Sequence, residues 1–185
     1  MNSQKDNPMP NMVFKMMSFM LALRHRFANL RKELEKSGIK EGQTILDFGC
    51  GPGHYAIAAA RIVGEKGRIY ALDIHPLAMR VVEKKARKEG LTNITTILSD
   101  RDTGLPDESI DIVLLYDTIH LIGDKRALLK ELHRVMKSSG ILSIWGMKVE
   151  DVLELVEKEG LFALRERVTT VTRYRHGKLL NFEKG

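Results

Sequence analysis

Cysteine is nearly absent from this chain of 185 residues, because Cys50 is the only one. A single cysteine cannot form a disulfide within the chain, which is typical of proteins from a reducing compartment. We therefore expect a cytoplasmic protein that is stabilised by an ordinary hydrophobic core. The length and the 43% of hydrophobic residues predict one globular domain rather than two.

Long hydrophobic runs are also lacking. The longest apolar run near the start covers residues 16–23 and is closed by Arg24, His25 and Arg26. It is too short to span a bilayer. Charges stand where a signal peptide would carry its small-residue cleavage site. We therefore expect no membrane span and no leader.

Closely spaced metal ligands are missing as well. The histidines are His25, His54, His75, His120, His133 and His176. No pair of them shows the close spacing of a zinc motif, so we expect no metal site.

Positive charge exceeds negative charge, with a net charge of +6 that is concentrated at the two ends of the chain. The most basic segment covers residues 167–178, where the charges mostly alternate with Thr, Val and Tyr. This alternation favours the solvated face of a β-ribbon. Phosphate contacts with a nucleic acid are the alternative interpretation.

Apolar strands and amphipathic helices alternate along most of the chain. The strands are "TILDFG", "RIYALD", "NITTILSD", "IDIVLLYD" and "ILSIW", and helical patterns cover residues 54–64, 76–90, 124–140 and 149–160. The alternation predicts an α/β fold with a parallel sheet that is covered on both faces. Residues 161–174 and 178–184 flank a turn at His176 and Gly177, which predicts a hairpin at the edge of the sheet.

A further helix is predicted before the first strand. Its apolar residues recur at three- and four-residue steps: Val13, Met17, Met20, Leu23, Phe27, Leu30 and Leu34. This methionine-rich helix either packs on the core or forms a lid over an apolar substrate, since Met side chains adapt to irregular ligands. The single domain would then comprise a helical lid (1–40), a cofactor-binding core (41–148) and a final helix with a β-hairpin (149–185).

The segment "LDFGCGPGHY" places three glycines, Gly49, Gly51 and Gly53, at the end of the first strand. Ligands of open parallel sheets bind beyond the carboxyl ends of the strands. With Ala56, the last two glycines satisfy the pattern GxGxxA of dinucleotide-binding proteins, which alone is a weak indication. The candidate ligands are a dinucleotide and S-adenosylmethionine.

The carboxylate of Asp47 discriminates between these two ligands. It would repel a pyrophosphate but attract the ammonium and sulfonium groups of S-adenosylmethionine. A turn-capping aspartate is the alternative explanation. Asp73 ends the second strand, where an acid can accept hydrogen bonds from both ribose hydroxyls. Asp100 follows the third strand and can reach an adenine amino group.

At these residues the chain resembles the class I S-adenosylmethionine-dependent methyltransferases. The matching segments are "ILDFGCGPGHY", "YALDIHPLAM", "SDRDTGLPDESIDIVLLYDTIHLI" and "LLKELHRVMKSSGILSI", in the order of the family. The resemblance is strongest to the small-molecule branch that includes ubiquinone and menaquinone biosynthesis methyltransferases. It implies a Rossmann-like, doubly wound, seven-stranded sheet, mostly parallel with an antiparallel C-terminal hairpin strand, and S-adenosyl-L-methionine as the cofactor.

The resemblance also implies roles for individual residues. The methionyl part of the cofactor would be surrounded by Gly49, Cys50, Gly51 and Gly53, with Asp47 behind them. The ribose and adenine would be held by Asp73 and Ile74, and the adenine edge would be framed by Asp100 and Arg101. The Tyr116 backbone would face the ammonium group. Cys50 is expected to be a small buried filler, with a nucleophile or methyl acceptor as the alternative.

The reaction implied by the family requires little from the protein. Sulfonium is a good leaving group, so holding the acceptor in line with the methyl carbon supplies much of the rate. His120 is the best candidate for a general base because its unperturbed pKa lies near neutrality. A structural histidine bonded to backbone is the alternative. Asp117 and Tyr116 would steer the acceptor, whereas His54 is expected to be a local helix cap.

Departures from the family narrow the hypothesis. The relatives carry a substrate-covering insertion after the fifth strand, but here a helix at Val149 follows Trp145 almost at once. Any lid must therefore come from the N-terminal helix.

We predict a methyltransferase that acts on a small, apolar metabolite, and a homodimer is compatible with the sequence. An RNA-binding protein or RNA methyltransferase that uses the basic termini is the alternative. We do not expect a nucleic-acid partner, because "LYDTI" differs from the NPPY-type tetrapeptide common in RNA enzymes of this fold. A non-catalytic cofactor-binding subunit is the third hypothesis.

Overall fold

The structure is a computed structural model that describes residues 6–26, 29–146, 150–172 and 175–185. The helices are α1 (Asn11–His25), α2 (Leu30–Glu35), α3 (His54–Val63), α4 (Pro76–Lys88), α5 (Lys125–Val135) and α6 (Glu150–Glu159). The strands are β1 (Thr44–Phe48), β2 (Arg68–Asp73), β3 (Ile94–Leu98), β4 (Ile110–Tyr116), β5 (Met136–Gly146), β6 (Phe162–Thr172) and β7 (Arg175–Lys184). A short 3₁₀ helix (Ile119–Leu121) follows β4.

The strands form one sheet of seven in the order β3-β2-β1-β4-β5-β7-β6. Neighbours among β1 to β5 are parallel, and β7 is antiparallel to both β5 and β6. The predicted mostly parallel, seven-stranded fold is therefore confirmed. The strand order reverses between β1 and β4, so their carboxyl ends flank a crevice.

Hydrophobic cores lie on both faces of the sheet. Neighbouring residues of β1 enter different cores, with Leu46 in one and Ile45 in the other. The first core includes Leu132 from α5 and Val156 from α6. The second includes Val82 from α4, together with residues of α1 to α3. Helices thus cover both faces, as the near-continuous apolar strands require.

The N-terminal segment forms two helices rather than the predicted single one. Asn29 begins α2, because its side-chain oxygen accepts a hydrogen bond from the Lys32 N–H at 3.1 Å. Such an N-cap accepts from an N–H group that has no partner within the first turn of its helix, and so favours a new helix start. Phe27, which was placed on the predicted face, lies outside the described residues.

The predicted apolar face of α1 is wrong except at Met17, which packs against the core. Met20 and Leu23 are exposed, whereas Phe14 and His25 are buried. Phe14 stacks on the His75 ring with a centroid distance of 4.1 Å. The helix is apolar on nearly every side, so its three- to four-residue spacing did not determine which face packs inward.

Two boundaries near the C-terminus also differ from the prediction. Helix α5 ends at Val135 rather than near Gly140, and Met136 already pairs with Ile110 in the sheet. The register between β4 and β5 shifts after Ile110, and regular pairing resumes between Ile112 and Ile141. His176 and Gly177 lie within β7 rather than in a turn, and residues 173–174, which separate β6 from β7, lie outside the described residues.

The connection after β5 is short, as expected, because α6 begins at Glu150. Its predicted start at Val149 lies outside the described residues. None of the described helices is both long and apolar enough to cross a membrane.

Candidate active site

The glycine loop after β1 is fixed to the end of β2. The N–H groups of Gly49 and Cys50 both donate to the Leu72 carbonyl oxygen, at 2.8 and 2.9 Å. Gly49 has a φ of 75°, in the left-handed region. A Cβ atom at this position would lie 2.3 Å from Cγ2 of Thr118. Glycine is therefore required where the loop passes the segment that follows β4.

Gly53 permits close helix packing and does not line the cavity described below. It is the N-cap of α3, also with a φ of 75°, and an added Cβ would lie 2.5 Å from Cγ2 of Val82 on α4. No side chain caps α3, so the expected capping role of His54 is wrong. His54 is instead the first residue of the helix, directly behind the glycine loop.

Asp73 holds the loop from the neighbouring strand. One carboxylate oxygen accepts a hydrogen bond from the Gly51 N–H and the other from the His75 N–H, each at 2.8 Å. Burial raises the pKa of this carboxyl group above its ordinary value, and the backbone donors oppose that shift. The carboxylate lies at a fixed position at the end of β2, with further lone pairs available for a ligand.

Asp47 is the most perturbed carboxyl group in this region. It is 2% exposed, and its Oδ2 atom is buried without a hydrogen-bond partner. Its pKa is raised to about 7, chiefly by burial and further by the charge of Asp73, against a hydrogen bond from the Ala56 backbone. A buried carboxylate of this kind is costly unless a cationic group approaches it.

These residues border a cavity of about 360 Å³ beyond the carboxyl ends of β1, β2 and β4. It brings together nine of the twelve predicted site residues: Asp47, Gly49, Cys50, Gly51, Asp73, Ile74, Asp100, Tyr116 and Asp117. The Oδ2 atom of Asp100 is also buried without a hydrogen-bond partner. The remaining lining is largely apolar and includes Met17, Leu21, Leu121 and Ile122.

Two further predicted residues do not line this cavity. Arg101 pairs with Asp124, with 3.3 Å between Nη1 and Oδ2. His120 lies in the 3₁₀ helix with an exposed side chain. Neither residue therefore contacts the cavity that Asp47 and Asp73 line.

Helix α1 roofs the cavity and is attached to it by side chains at both ends. Arg24 forms an ion pair with Asp117, with 2.8 Å between Nη2 and Oδ2. At the other end, the ring nitrogen Nε2 of His75 lies 3.1 Å from the Met9 carbonyl oxygen. Since Nδ1 of His75 accepts from the Leu77 N–H, Nε2 is the protonated nitrogen that donates to Met9.

The inner end of the cavity is lined by aromatic rings. His25 of α1 makes edge contacts with His54 at 4.8 Å and with Tyr55 at 5.4 Å between ring centroids. Tyr55 in turn contacts Tyr116 edge-on at 4.8 Å. Burial, with the charges of Lys85 and Arg24, lowers the pKa of His54 to about 4. His54 is therefore neutral near pH 7, with one unprotonated ring nitrogen.

Cys50 is buried, and its Sγ atom lies 3.7 Å from the Gly51 carbonyl oxygen. Burial and the charges of Asp47 and Asp73 raise the pKa of its thiol well above the ordinary value. The thiol is therefore protonated. Since only a thiolate is a good nucleophile, Cys50 is not suited to nucleophilic attack. This supports the interpretation of Cys50 as a small buried filler.

Sequence reasoning missed several residues of the site. The Thr118 hydroxyl can donate to either of two carbonyl oxygens, that of Tyr116 at 2.9 Å and that of Gly49 at 3.3 Å. Arg24 and His25 were noted only because they end an apolar run. Their position on the inner face of α1 depends on which face packs inward, and the sequence does not determine that.

The residues that the structure describes contain no group of three or more His, Cys, Asp or Glu able to hold a metal ion. The site consists instead of buried carboxylates, a glycine loop and an apolar remainder.

Comparisons with known proteins agree with this geometry. Residues 39–173 match the family model described as a methyltransferase domain. The chain is 30% identical over 126 residues to a demethylmenaquinone methyltransferase of Geobacillus stearothermophilus, which covers 68% of this chain and 54% of that protein.

A second relative is a ubiquinone/menaquinone biosynthesis C-methyltransferase of a Shewanella strain. It is 30% identical over 122 residues, which are 65% of this chain and 48% of that protein. The chain thus spans about half the length of the curated relatives it matches.

The fold is also found in a solved structure of a SAM-dependent methyltransferase from Aquifex aeolicus. The TM-score is 0.84 at 25% sequence identity, covering 96% of this chain and all of that one. Since the family model matches more than half of the residues, this chain belongs to the methyltransferase domain family.

Proposed function

We propose that this chain transfers the methyl group of S-adenosylmethionine to a small, apolar acceptor. The observation that carries the proposal is the unpaired, buried carboxylate of Asp47 beside the glycine loop. A cationic ligand relieves the cost of burying that charge, whereas a pyrophosphate increases it. Family membership and the relatives named above support the same reaction.

The residues present fit this cofactor. Asp47 and the loop from Gly49 to Gly51 would hold the methionyl end, and Asp73 with Ile74 would hold the ribose. Asp100, whose Oδ2 atom lacks a partner, would accept from the adenine amino group. When bound, the cofactor supplies an electrophilic methyl group on a sulfonium that leaves readily.

The apolar half of the cavity would hold the acceptor. Met17, Leu21, Leu121 and Ile122 line it and exclude water from the acceptor. Because the relatives are named for quinone biosynthesis, we propose a reduced naphthoquinone as the first probe. The single cysteine supports a site of action in the reducing cytoplasm.

We propose His54 as the proton acceptor, because its ring lines the cavity and its buried Nε2 atom has no hydrogen-bond partner. His120, which does not line the cavity, is the second candidate. Asp117 is proposed to position the roof through Arg24 rather than to take a proton. A His54→Gln variant that keeps cofactor affinity but loses turnover would support this assignment, and unchanged turnover would contradict it.

We further propose that the roof formed by α1 acts as a lid over the acceptor. In support, α1 lines the cavity with Met17 and Leu21, and Arg24 near its C-terminal end pairs with Asp117. Removal of residues 1–22 should leave cofactor binding intact but abolish acceptor binding. Unchanged turnover of the truncated protein would rule the lid out.

Calorimetry tests the central proposal. We expect S-adenosylhomocysteine to bind and NAD to give no heat of binding. A radiolabelled methyl group should then move from S-adenosylmethionine to the reduced naphthoquinone. Tight NAD binding without any response to S-adenosylhomocysteine would overturn the proposal, and methyl transfer to RNA alone would replace the acceptor class.

A further inference from the structure

The outer face of α1 carries a stripe of exposed apolar side chains. Among the described residues, nine large hydrophobic side chains are exposed. Six of these lie on α1, between 42% and 78% exposed, and we call them the outer stripe: Met12, Val13, Met16, Phe19, Met20 and Leu23. Single exposed apolar residues are ordinary, but a contiguous patch marks a binding surface.

The opposite face of the same helix is already used. Phe14, Met17 and Leu21 point inward and line the cavity. An α-helix that is apolar all round is normally covered on all sides. Since α1 is covered on one side only, a second apolar environment is expected to cover the outer stripe.

The charged residues of helix α1 are all cationic. No Asp or Glu occurs between Asn7 and Lys32. Lys15 lies within the helix beside Met16, and Arg26 follows its last turn, whereas Arg24 already pairs with Asp117. The partner of this surface should therefore carry negative charge next to an apolar layer.

A second cavity, of about 760 Å³, adjoins the C-terminal end of α1 and extends this positive region. Its lining includes five cationic residues, Arg26, Arg31, Arg61, Lys85 and Lys88, and one acid, Glu89. Glu89 pairs with Arg61, and Glu35 pairs with Arg31. In the lining itself, cationic residues outnumber the single acid, which suits anionic phosphate groups.

We propose that α1 docks on the surface of an anionic lipid bilayer. The outer stripe would enter the boundary between headgroups and acyl chains, and Lys15, Arg26 and the basic cavity would meet lipid phosphates. A second copy of this chain fits less well, because a two-fold contact through the stripe brings the cationic flanks of both helices together. Helix α1 lies outside residues 39–173, which match the methyltransferase domain.

The docked orientation would place an entrance to the cavity against the lipid. Leu121 is 60% exposed and also lines the cavity, so an apolar path leads from the surface inward. An acceptor dissolved in the bilayer could then enter without crossing water. This consequence rests on the proposed function, whereas docking itself does not depend on methyl transfer.

Vesicle sedimentation of the full chain tests the docking. We expect binding to vesicles of phosphatidylcholine and phosphatidylglycerol in equal parts, weakened by added salt. Phe19→Asp and Met20→Asp should each lower the partition coefficient at least about tenfold, because a charge replaces an inserted apolar group. Leu98→Asp is the matched control, since Leu98 is 56% exposed on β3 and should leave partitioning unchanged.

Three results would overturn the proposal. The parent protein could fail to sediment with these vesicles, the stripe variants could sediment as well as the parent, or light scattering could show a dimer that Phe19→Asp dissociates. Urea titration of each variant shows whether the fold is intact. Because this control does not use the cofactor, a failure of docking stays distinct from a failure of the proposed reaction.

Discussion

The floor and the roof of the cavity are built in different ways. The floor consists of strand ends and the glycine loop, where backbone N–H groups, Asp47 and Asp73 fix every position. The roof is helix α1, attached by the ion pair of Arg24 with Asp117 and the hydrogen bond between His75 and Met9. The floor is therefore fixed by hydrogen bonds between strand ends and the loop, whereas the roof is held by side-chain contacts that include the buried Phe14.

The largest effect is expected from Gly49→Ala in the floor. The new Cβ would meet Thr118 at 2.3 Å in a left-handed backbone conformation, which together should cost about 3 kcal/mol of unfolding free energy. Gly51→Ala is the matched control, because its Cβ would meet nothing within 4 Å and should cost only about 1–2 kcal/mol. Urea titration measures both, and equal losses would contradict the close approach.

The second test uses the burial of Asp47. Its folded pKa of about 7 lies above the ordinary value, so this group stabilises the fold at low pH and destabilises it progressively between about pH 4 and pH 7. At about pH 8, Asp47→Asn should therefore be more stable than the parent by a few kcal/mol.

The advantage of Asp47→Asn should vanish near pH 4, and its affinity for S-adenosylhomocysteine should be lower than that of the parent. Urea titrations at both pH values measure the gain in stability, and calorimetry measures the loss of affinity. An Asn variant that is less stable than the parent at pH 8 would contradict the buried, unpaired carboxylate.

A smaller effect is expected from Asp73→Ala. The Gly51 and His75 N–H groups lose their acceptor, and so would the ribose hydroxyls. Hydrogen bonds to a charged group are worth roughly 1.5–3 kcal/mol each, so the affinity for S-adenosylhomocysteine should fall at least about tenfold. Calorimetry on the folded variant checks this, and parental affinity would show that Asp73 does not contact the ligand.

The smallest effect on stability is expected in the roof. Arg24 and Asp117 are about a third exposed, so Arg24→Met and Asp117→Asn should each cost about 1 kcal/mol or less. Asn is suited to position 117 because it tolerates the positive φ of 54° found there. A double-mutant cycle with these two variants measures the coupling of Arg24 and Asp117 in the KM of the acceptor. A coupling in this KM with unchanged cofactor affinity would distinguish the roof from the floor.

The floor could be predicted from the sequence because its determinants are local. A glycine motif, the apolar strand before it and an acid at each strand end lie within short segments, and the structure brings nine of the predicted residues to one cavity. The family and the fold were predicted on the same residues, and both are confirmed.

The roof could not be predicted because its contacts are distant in sequence. Arg24 and Asp117 are separated by 93 positions, and Met9 and His75 by 66. Helix α1 is apolar on nearly all sides, so no periodicity identified Phe14 and His25 as the buried residues. His120 was chosen for its residue type and position after β4, but the direction of its side chain is set by the 3₁₀ helix.

The position of β7 between β5 and β6 has a consequence for folding. Strand β6 pairs only with β7 among the described strands, so it cannot join the sheet until β7 has been synthesised. The edge of β5 stays open during that time and is exposed to wrong pairing with other chains. The parallel strands that carry the cavity can assemble earlier. We therefore expect a nascent chain stalled before Arg175 to bind S-adenosylhomocysteine weakly yet to aggregate readily.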